Sequence, residues 1–314
     1  MDRARWHLIG NVLVATIVAL AASPAVAQSQ QQIDQCTNKG GSFTSEVRIN
    51  ACTSLIQSDR SGKSLPQYYY QRCRAYIKKG DYDSALRDCN EAIRLDPKYA
   101  VAYDSRGNVY DYKKDYDRAI ADYGEAIRLD PKDAGAFNNR GNAYADKGDP
   151  DRAIPDYDEA IRLDPKDAAA FRNRGMTYRD KGDLDRAIVD YDEAIRLDPK
   201  YADAFNSRCW ARALAGRDLA AALADCNESL RLDPGAAAFF NTRGLVQLKL
   251  GAFDRAIADY GAAIAKRPKD ANSLYGRGVA KLKSGDRAGG EADLAAAKTI
   301  EADIAQVYAG YGVK

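Results

Sequence analysis

The sequence predicts an all-α protein of about seven tandem helix-turn-helix units set between N- and C-terminal caps. Three observations carry that expectation. Asp-Pro recurs at Asp96-Pro97, Asp130-Pro131, Asp164-Pro165, Asp198-Pro199 and Asp233-Pro234, with Arg267-Pro268 in register, at spacings of 34, 34, 34, 35 and 34 residues. A fixed period of that length marks a stack of small structural units. Inside each period apolar residues recur at helical spacing on two stretches, parted by a turn such as Gly148-Asp149. Neither stretch is long enough to be a stable helix alone, so each pair must bury its apolar stripe against its neighbours.

Taken in order, residues 1–27 read as an export signal. Arg3 and Arg5 precede an apolar stretch from Leu8 to Ala22, and Ala25-Val26-Ala27 offers a small-residue cleavage site before Gln28. The stretch is short against the ~20 residues that span a bilayer. An uncleaved anchor is the alternative. No later segment is apolar enough to span a membrane, so the chain is expected to be periplasmic or secreted, in an oxidising compartment. Residues 28–65 form an N-terminal helical cap that holds Cys36 and Cys52. The seven units fill 66–302, as 66–99, 100–133, 134–167, 168–201, 202–236, 237–270 and 271–302. Residues 303–314 make a C-terminal capping helix and tail.

The third unit shows the plan of all. Its first helix places Phe137, Gly141 and Tyr144 on one face. Gly148 stops that helix and Asp149 caps the next. The second helix buries Ala153, Tyr157 and Ala160, and Asp164-Pro165 ends it, because Pro disfavours helical backbone in the residue before it. Pro155 stands inside this second helix, where the fourth unit has Val189, and is expected to cost stability.

This plan resembles the tetratricopeptide repeat (TPR) family, whose signature is matched in the second unit by Tyr103, Gly107, Tyr110, Ala119, Tyr123, Ala126 and Pro131. The seventh unit is degenerate: Lys281, Gly290 and Ala302 replace the Tyr, Ala and Pro. Ile304, Val307 and Tyr308 are then expected to complete a capping helix. The resemblance implies a right-handed superhelical α-solenoid whose first helices line a concave groove, with a function in binding.

One departure from the family recurs in every unit. Where Leu usually precedes the Gly, this chain has Arg72, Arg106, Arg140, Arg174, Arg208, Arg243 and Arg277, each matched by an Asp in the second helix, from Asp88 to Asp293. Arg with an acidic partner in every unit points to a repeated structural pair held by charge-assisted hydrogen bonds, not to a basic ladder for an anion. The cysteines also follow the register. Cys73/Cys89 and Cys209/Cys226 occupy the two slots that elsewhere hold Gly and Tyr, so both slots change together, as a staple between paired helices requires. Cys36 and Cys52 are left to pair with each other.

Composition narrows the function. A net charge of +2 with interleaved signs leaves no basic face for nucleic acid. The one His is His7, and no Cys-x-x-Cys exists, so neither a metal site nor a cofactor is expected. Without a His after the signal there is no ready base for a nucleophile, and the chain is expected not to be an enzyme. Oligomeric state is left open.

A docking face is suggested by the third and fourth units, which are identical at most positions. Four of their differences, Gly135/Ala169, Asn138/Arg172, Asn142/Met176 and Ala145/Arg179, share one face of the first helix. In the family that face lines the groove. Extended along the chain, it contributes Asp104 and Asn108, then Asn138 and Asn142, then Arg172, Met176 and Arg179. Later units add Asn206, Trp210, Asn241, Leu245 and Tyr275, so the face turns from polar to apolar and aromatic. The amides suit the main chain of an extended peptide, and Trp and Tyr are common interface anchors. Alternatively, the C-terminal helix folds onto the late apolar stripe. The function expected is an extracytoplasmic scaffold or adaptor that binds a protein or peptide segment, with a cell-envelope glycan-binding or assembly factor as the alternative.

Overall fold

The structure, a computed structural model, describes residues 24–313. Of the expected export signal, residues 1–23 lie outside the described residues, and Pro24 to Ala27 open the first helix. Among the described residues the chain is all-α, with seventeen helices. α1 (Pro24–Thr37) and α2 (Ser45–Ser58) precede seven antiparallel pairs. These are α3 (Leu65–Lys79) with α4 (Tyr82–Leu95), α5 (Ala100–Tyr112) with α6 (Tyr116–Leu129), and α7 (Ala134–Asp146) with α8 (Pro150–Leu163). Next come α9 (Ala168–Asp180) with α10 (Leu184–Leu197), and α11 (Ala202–Ala215) with α12 (Leu219–Leu232). The last are α13 (Ala237–Lys249) with α14 (Phe253–Lys266), and α15 (Ala271–Ser284) with α16 (Arg287–Ile300), before α17 (Ile304–Gly310).

Local chemistry sets these boundaries. Asp115, Asp149 and Asp183 cap α6, α8 and α10 by accepting the backbone N–H of Arg118, Arg152 and Arg186. Gly148 and Gly182 take the left-handed backbone that lets the chain leave one helix and enter the next. At the same turn in the second unit Lys114 accepts that conformation despite its side chain. The extra residue of the fifth unit is absorbed there too, with Asp218 left-handed and no longer a side-chain cap. Pro155 lies past the first turn of α8, exposed to solvent, where it offers no N–H to the Asp151 carbonyl. Nothing in the structure assigns it a function.

The chain divides after Leu95 into two compact units. In the first, Cys36–Cys52 joins α1 to α2 and Cys73–Cys89 joins α3 to α4, with Cα separations of 4.8 and 5.6 Å. Ala51 and Leu55 fill its small core with Ile33 and Tyr68. In the second, six helix pairs stack in order; the second helices of the first five lay a Tyr or Cys across their first helices, and α16 lays Leu294 against Gly278. A Cβ on Gly107 would stand 2.7 Å from the Tyr123 ring, so this slot admits only Gly beneath the aromatic. The fifth unit replaces that contact with Cys209–Cys226. In this stack each first helix touches the first helix of the next pair, whereas second helices do not touch one another. The row of first helices is therefore the more tightly spaced, and forms the inner side of the stack's curve.

Candidate docking face of the first helices

The Arg of every unit is committed to its own second helix. Nε and Nη2 of Arg140 donate to both oxygens of Asp156 at 2.7 Å. Arg174 does the same with Asp190 at 2.9 and 2.7 Å, and Arg277 with Asp293 at 2.7 and 2.8 Å. These Asp residues are buried, and the two-pronged geometry satisfies both oxygens. The remaining nitrogen reaches the preceding pair: Arg174 Nη1 donates to Asp158 at 2.6 Å, Arg208 Nη1 to Asp192 at 2.7 Å and Arg243 Nη1 to Asn227 at 3.0 Å. Arg140 meets Gly124 at that place and finds no side chain to bind. The Arg series is thus a structural brace within and between repeats.

On the inner face, the early candidates are woven together. Asp104 accepts from Asn108 at 3.1 Å and from Asn139 of the next repeat at 3.0 Å. Asn108 and Asn142 accept the hydroxyls of Tyr123 and Tyr157 at 3.0 and 2.8 Å. Asn138 accepts from Asn173 at 3.1 Å. The fourth repeat breaks the series, because Met176 stands where Asn would receive Tyr191. The Tyr191 hydroxyl, wholly buried, has no partner. Beside it, Arg172 lies 5.8 Å above the Tyr201 ring, and Arg179 pairs with Asp180 at 2.8 Å. The internal use of Asn108 and Asn142 was missed in the sequence, although each Asn is followed fifteen residues later by the Tyr it receives.

The late face is covered by the chain itself. Of the two arrangements the sequence leaves open, the structure has the C-terminal helix folded onto the apolar stripe. Leu245 is 1% exposed, so it belongs to the core and not to an open groove. Tyr308 packs on Tyr275 with ring centroids 4.8 Å apart, and Tyr311 meets Trp210 edge-on at 5.0 Å. Asn241 donates to Ser273 at 2.7 Å, beside a cavity of ≈ 220 Å³ walled also by Trp210 and Tyr311.

Comparison with known proteins fits this geometry. Tetratricopeptide repeat signatures match residues 66–99, 105–168, 138–202, 172–237 and 241–304, more than half of the chain. The chain belongs to the tetratricopeptide repeat family. A TPR protein from Parabacteroides merdae is similar in structure, with a TM-score of 0.62 and 18% identity, covering 80% of this chain and 98% of that one. PilW, a type IV pilus biogenesis factor, is similar at a TM-score of 0.62 and 21% identity, covering 67% and 97%. Pseudomonas aeruginosa pilF follows at 0.60 and 17%, covering 68% and 97%. At these identities the likeness concerns the fold. The comparison with curated proteins returns no match.

Among these TPR repeats, unmet hydrogen-bonding capacity is concentrated on the inner face. Asp111 Oδ1, Arg172 Nε, Asn206 Oδ1 and Asn272 Oδ1 are buried without partners on first helices, as is the Tyr191 hydroxyl that reaches them. Burial, aided by the Asp146 carboxylate on the next first helix, pushes the Asp111 pKa up to about 6 from its ordinary 3.8. The folded chain therefore holds this proton more tightly than the unfolded chain. Asp111 destabilises the fold above pH 6, and that cost disappears as pH falls toward 4. Asp111→Asn is expected to raise stability by about 1 kcal/mol at pH 7.5, a value discounted for its partial exposure, and to change nothing near pH 4. Urea midpoints at the two pH values check this; an equal gain at both would contradict it.

Proposed function

We infer that this TPR scaffold works outside the cytoplasm, binding an extended segment of a partner protein along the inner face of repeats two to five. One observation carries the reading: the partnerless polar atoms Asp111 Oδ1, Arg172 Nε, Tyr191 Oη and Asn206 Oδ1 cluster on that face. A buried polar atom without a partner is costly, and such atoms are few in a folded protein. Asp111 and Asn206 carry acceptors and Arg172 a donor on half-buried side chains that a rotation turns toward the groove, with Tyr191 buried beneath them, and a peptide main chain supplies the complements at every residue. Asn138 and Asn142, each with its oxygen already bound, keep their amide N–H groups for the same use. The three disulfides support an oxidising compartment.

Partner capture from envelope extract tests the reading with Asn142→Ala and Arg172→Ala, against Arg162→Ala on the outer side of a second helix. The first two substitutions should each reduce capture about ten-fold and the third should not, since a few central contacts dominate a docking surface. If all three capture alike while unfolding as the unsubstituted chain does, the inner face is not the docking surface.

A further inference from the structure

We propose that the inner face of repeats five to seven is a binding site for short amphipathic helices carrying two aromatic side chains one turn apart, with the chain's own C-terminal segment as its resident occupant. A partner segment of the same chemistry binds by replacing that resident. The proposal rests on the inner-face reading above and names the ligand class taken at this end.

Were α17 simply one more layer, the first helix of an eighth repeat, its contacts would stop at repeat seven. They reach further. The Tyr308 hydroxyl donates to the Asn272 carbonyl at 2.7 Å and stands 3.4 Å from the Tyr260 hydroxyl of repeat six. Tyr311 reaches Trp210 in repeat five. Ile304 and Tyr308 are buried, and Val307 and Tyr311 pack against the same cluster, so three side chains of α17 and Tyr311 at its C-cap hold the segment. The receiving surface is shaped for them. Gly276 has no side chain, and a Cβ there would meet the Tyr260 ring and, at 2.5 Å, the Tyr308 hydroxyl oxygen, so both tyrosines share the space it leaves. Leu245, Leu248 and Val279 form the apolar floor.

The resident is held by its docked side chains alone. A seven-residue helix is not stable alone, so α17 orders only when docked. It hangs on Glu301-Ala302-Asp303, of which Ala302 and Asp303 are exposed. Nor does it fill the site. The ≈ 220 Å³ cavity between Trp210, Asn241, Asn272 and Tyr311 stays open, and Asn272 Oδ1 has no partner. A longer segment that brings a donor into that space makes a contact the resident lacks. A tethered segment competes at millimolar effective concentration, so a partner's advantage must come from such added contacts.

The probe is a synthetic peptide of residues 302–314, read by Trp210 fluorescence in full-length chain whose other tryptophan is replaced, Trp6→Phe. Tyr308→Ala with Tyr311→Ala should vacate the site, shift Trp210 emission to the red and let the peptide bind at least about ten-fold more tightly than it binds the unsubstituted chain. The peptide should restore the original emission, and a peptide with both tyrosines changed to Ala should not bind. Equal binding to both chains, binding by the Tyr-less peptide, or a full-length dimer that exchanges tails would each overturn the proposal. If the double variant loses cooperative unfolding, Tyr311→Ala alone takes its place with the same expectation. Capture by Asn142 and Arg172 variants is read separately, so its survival alongside peptide failure removes this inference alone.

Discussion

Replacing Asp190 by Ala is expected to cost about 3 kcal/mol, because it strands a guanidinium that is mostly out of water. Arg174 would keep only Asp158, which is half exposed, for three donating nitrogens. Replacing both residues by Leu should cost less than Asp190→Ala alone. An apolar pair of similar volume needs no compensation, whereas a lone buried charge does. Leu is also what the family usually carries at the Arg slot. Chemical denaturation of the two single variants and the double variant measures the coupling. If the double loses as much as the sum of the singles, the brace is not a coupled pair.

The second large effect is expected at the Cys209–Cys226 bridge, which joins α11 to α12 across a separation of 17 residues. Changing both residues to Ala should lower stability by about 3 kcal/mol in the chain-entropy account of such loops. Cys209→Gly with Cys226→Tyr should recover part of the loss, since four other repeats fill these slots with Gly under Tyr. Thermal unfolding of the three chains decides the matter; reductant opens Cys36–Cys52 and Cys73–Cys89 in all three, and should lower the unsubstituted chain most, toward the Ala variant. If Gly/Tyr is no better than Ala/Ala, the slot's shape in this repeat differs from its neighbours.

The 34-residue plan could be read in the sequence because every repeat obeys the same packing rule. A Gly with a Tyr sixteen residues on, an Arg with its Asp, and a Gly before a capping Asp each report a contact local to one repeat. The disulfide slots followed from the same register, since Cys73 and Cys89 stand where Gly107 and Tyr123 do. Contacts that cross several repeats left no such trace. Nothing periodic links Trp210 to Tyr311, about a hundred residues apart, so the burial of Leu245 and the cover over Tyr275 had to come from the structure. The internal role of the inner-face amides was illegible for a different reason. Asn142 suits a peptide main chain and a tyrosine hydroxyl equally well, and its residue type does not say which it serves. Met176 offered the clue, since removing the Asn from one repeat orphans Tyr191.

The gap at Gly124 has a mechanical consequence. From repeat three to repeat six, each neighbouring pair is bolted by the spare nitrogen of Arg174, Arg208 or Arg243, while the joint between repeats two and three lacks its bolt. Across that joint Asp111 also faces the like charge of Asp146, and the surface pair Lys147–Asp117 offers little resistance to bending. The stretch holding Asn138 through Asn241 thus has its spacing fixed repeat by repeat through charged braces, whereas repeat two is tied to it by the Asn139–Asp104 hydrogen bond on the inner face.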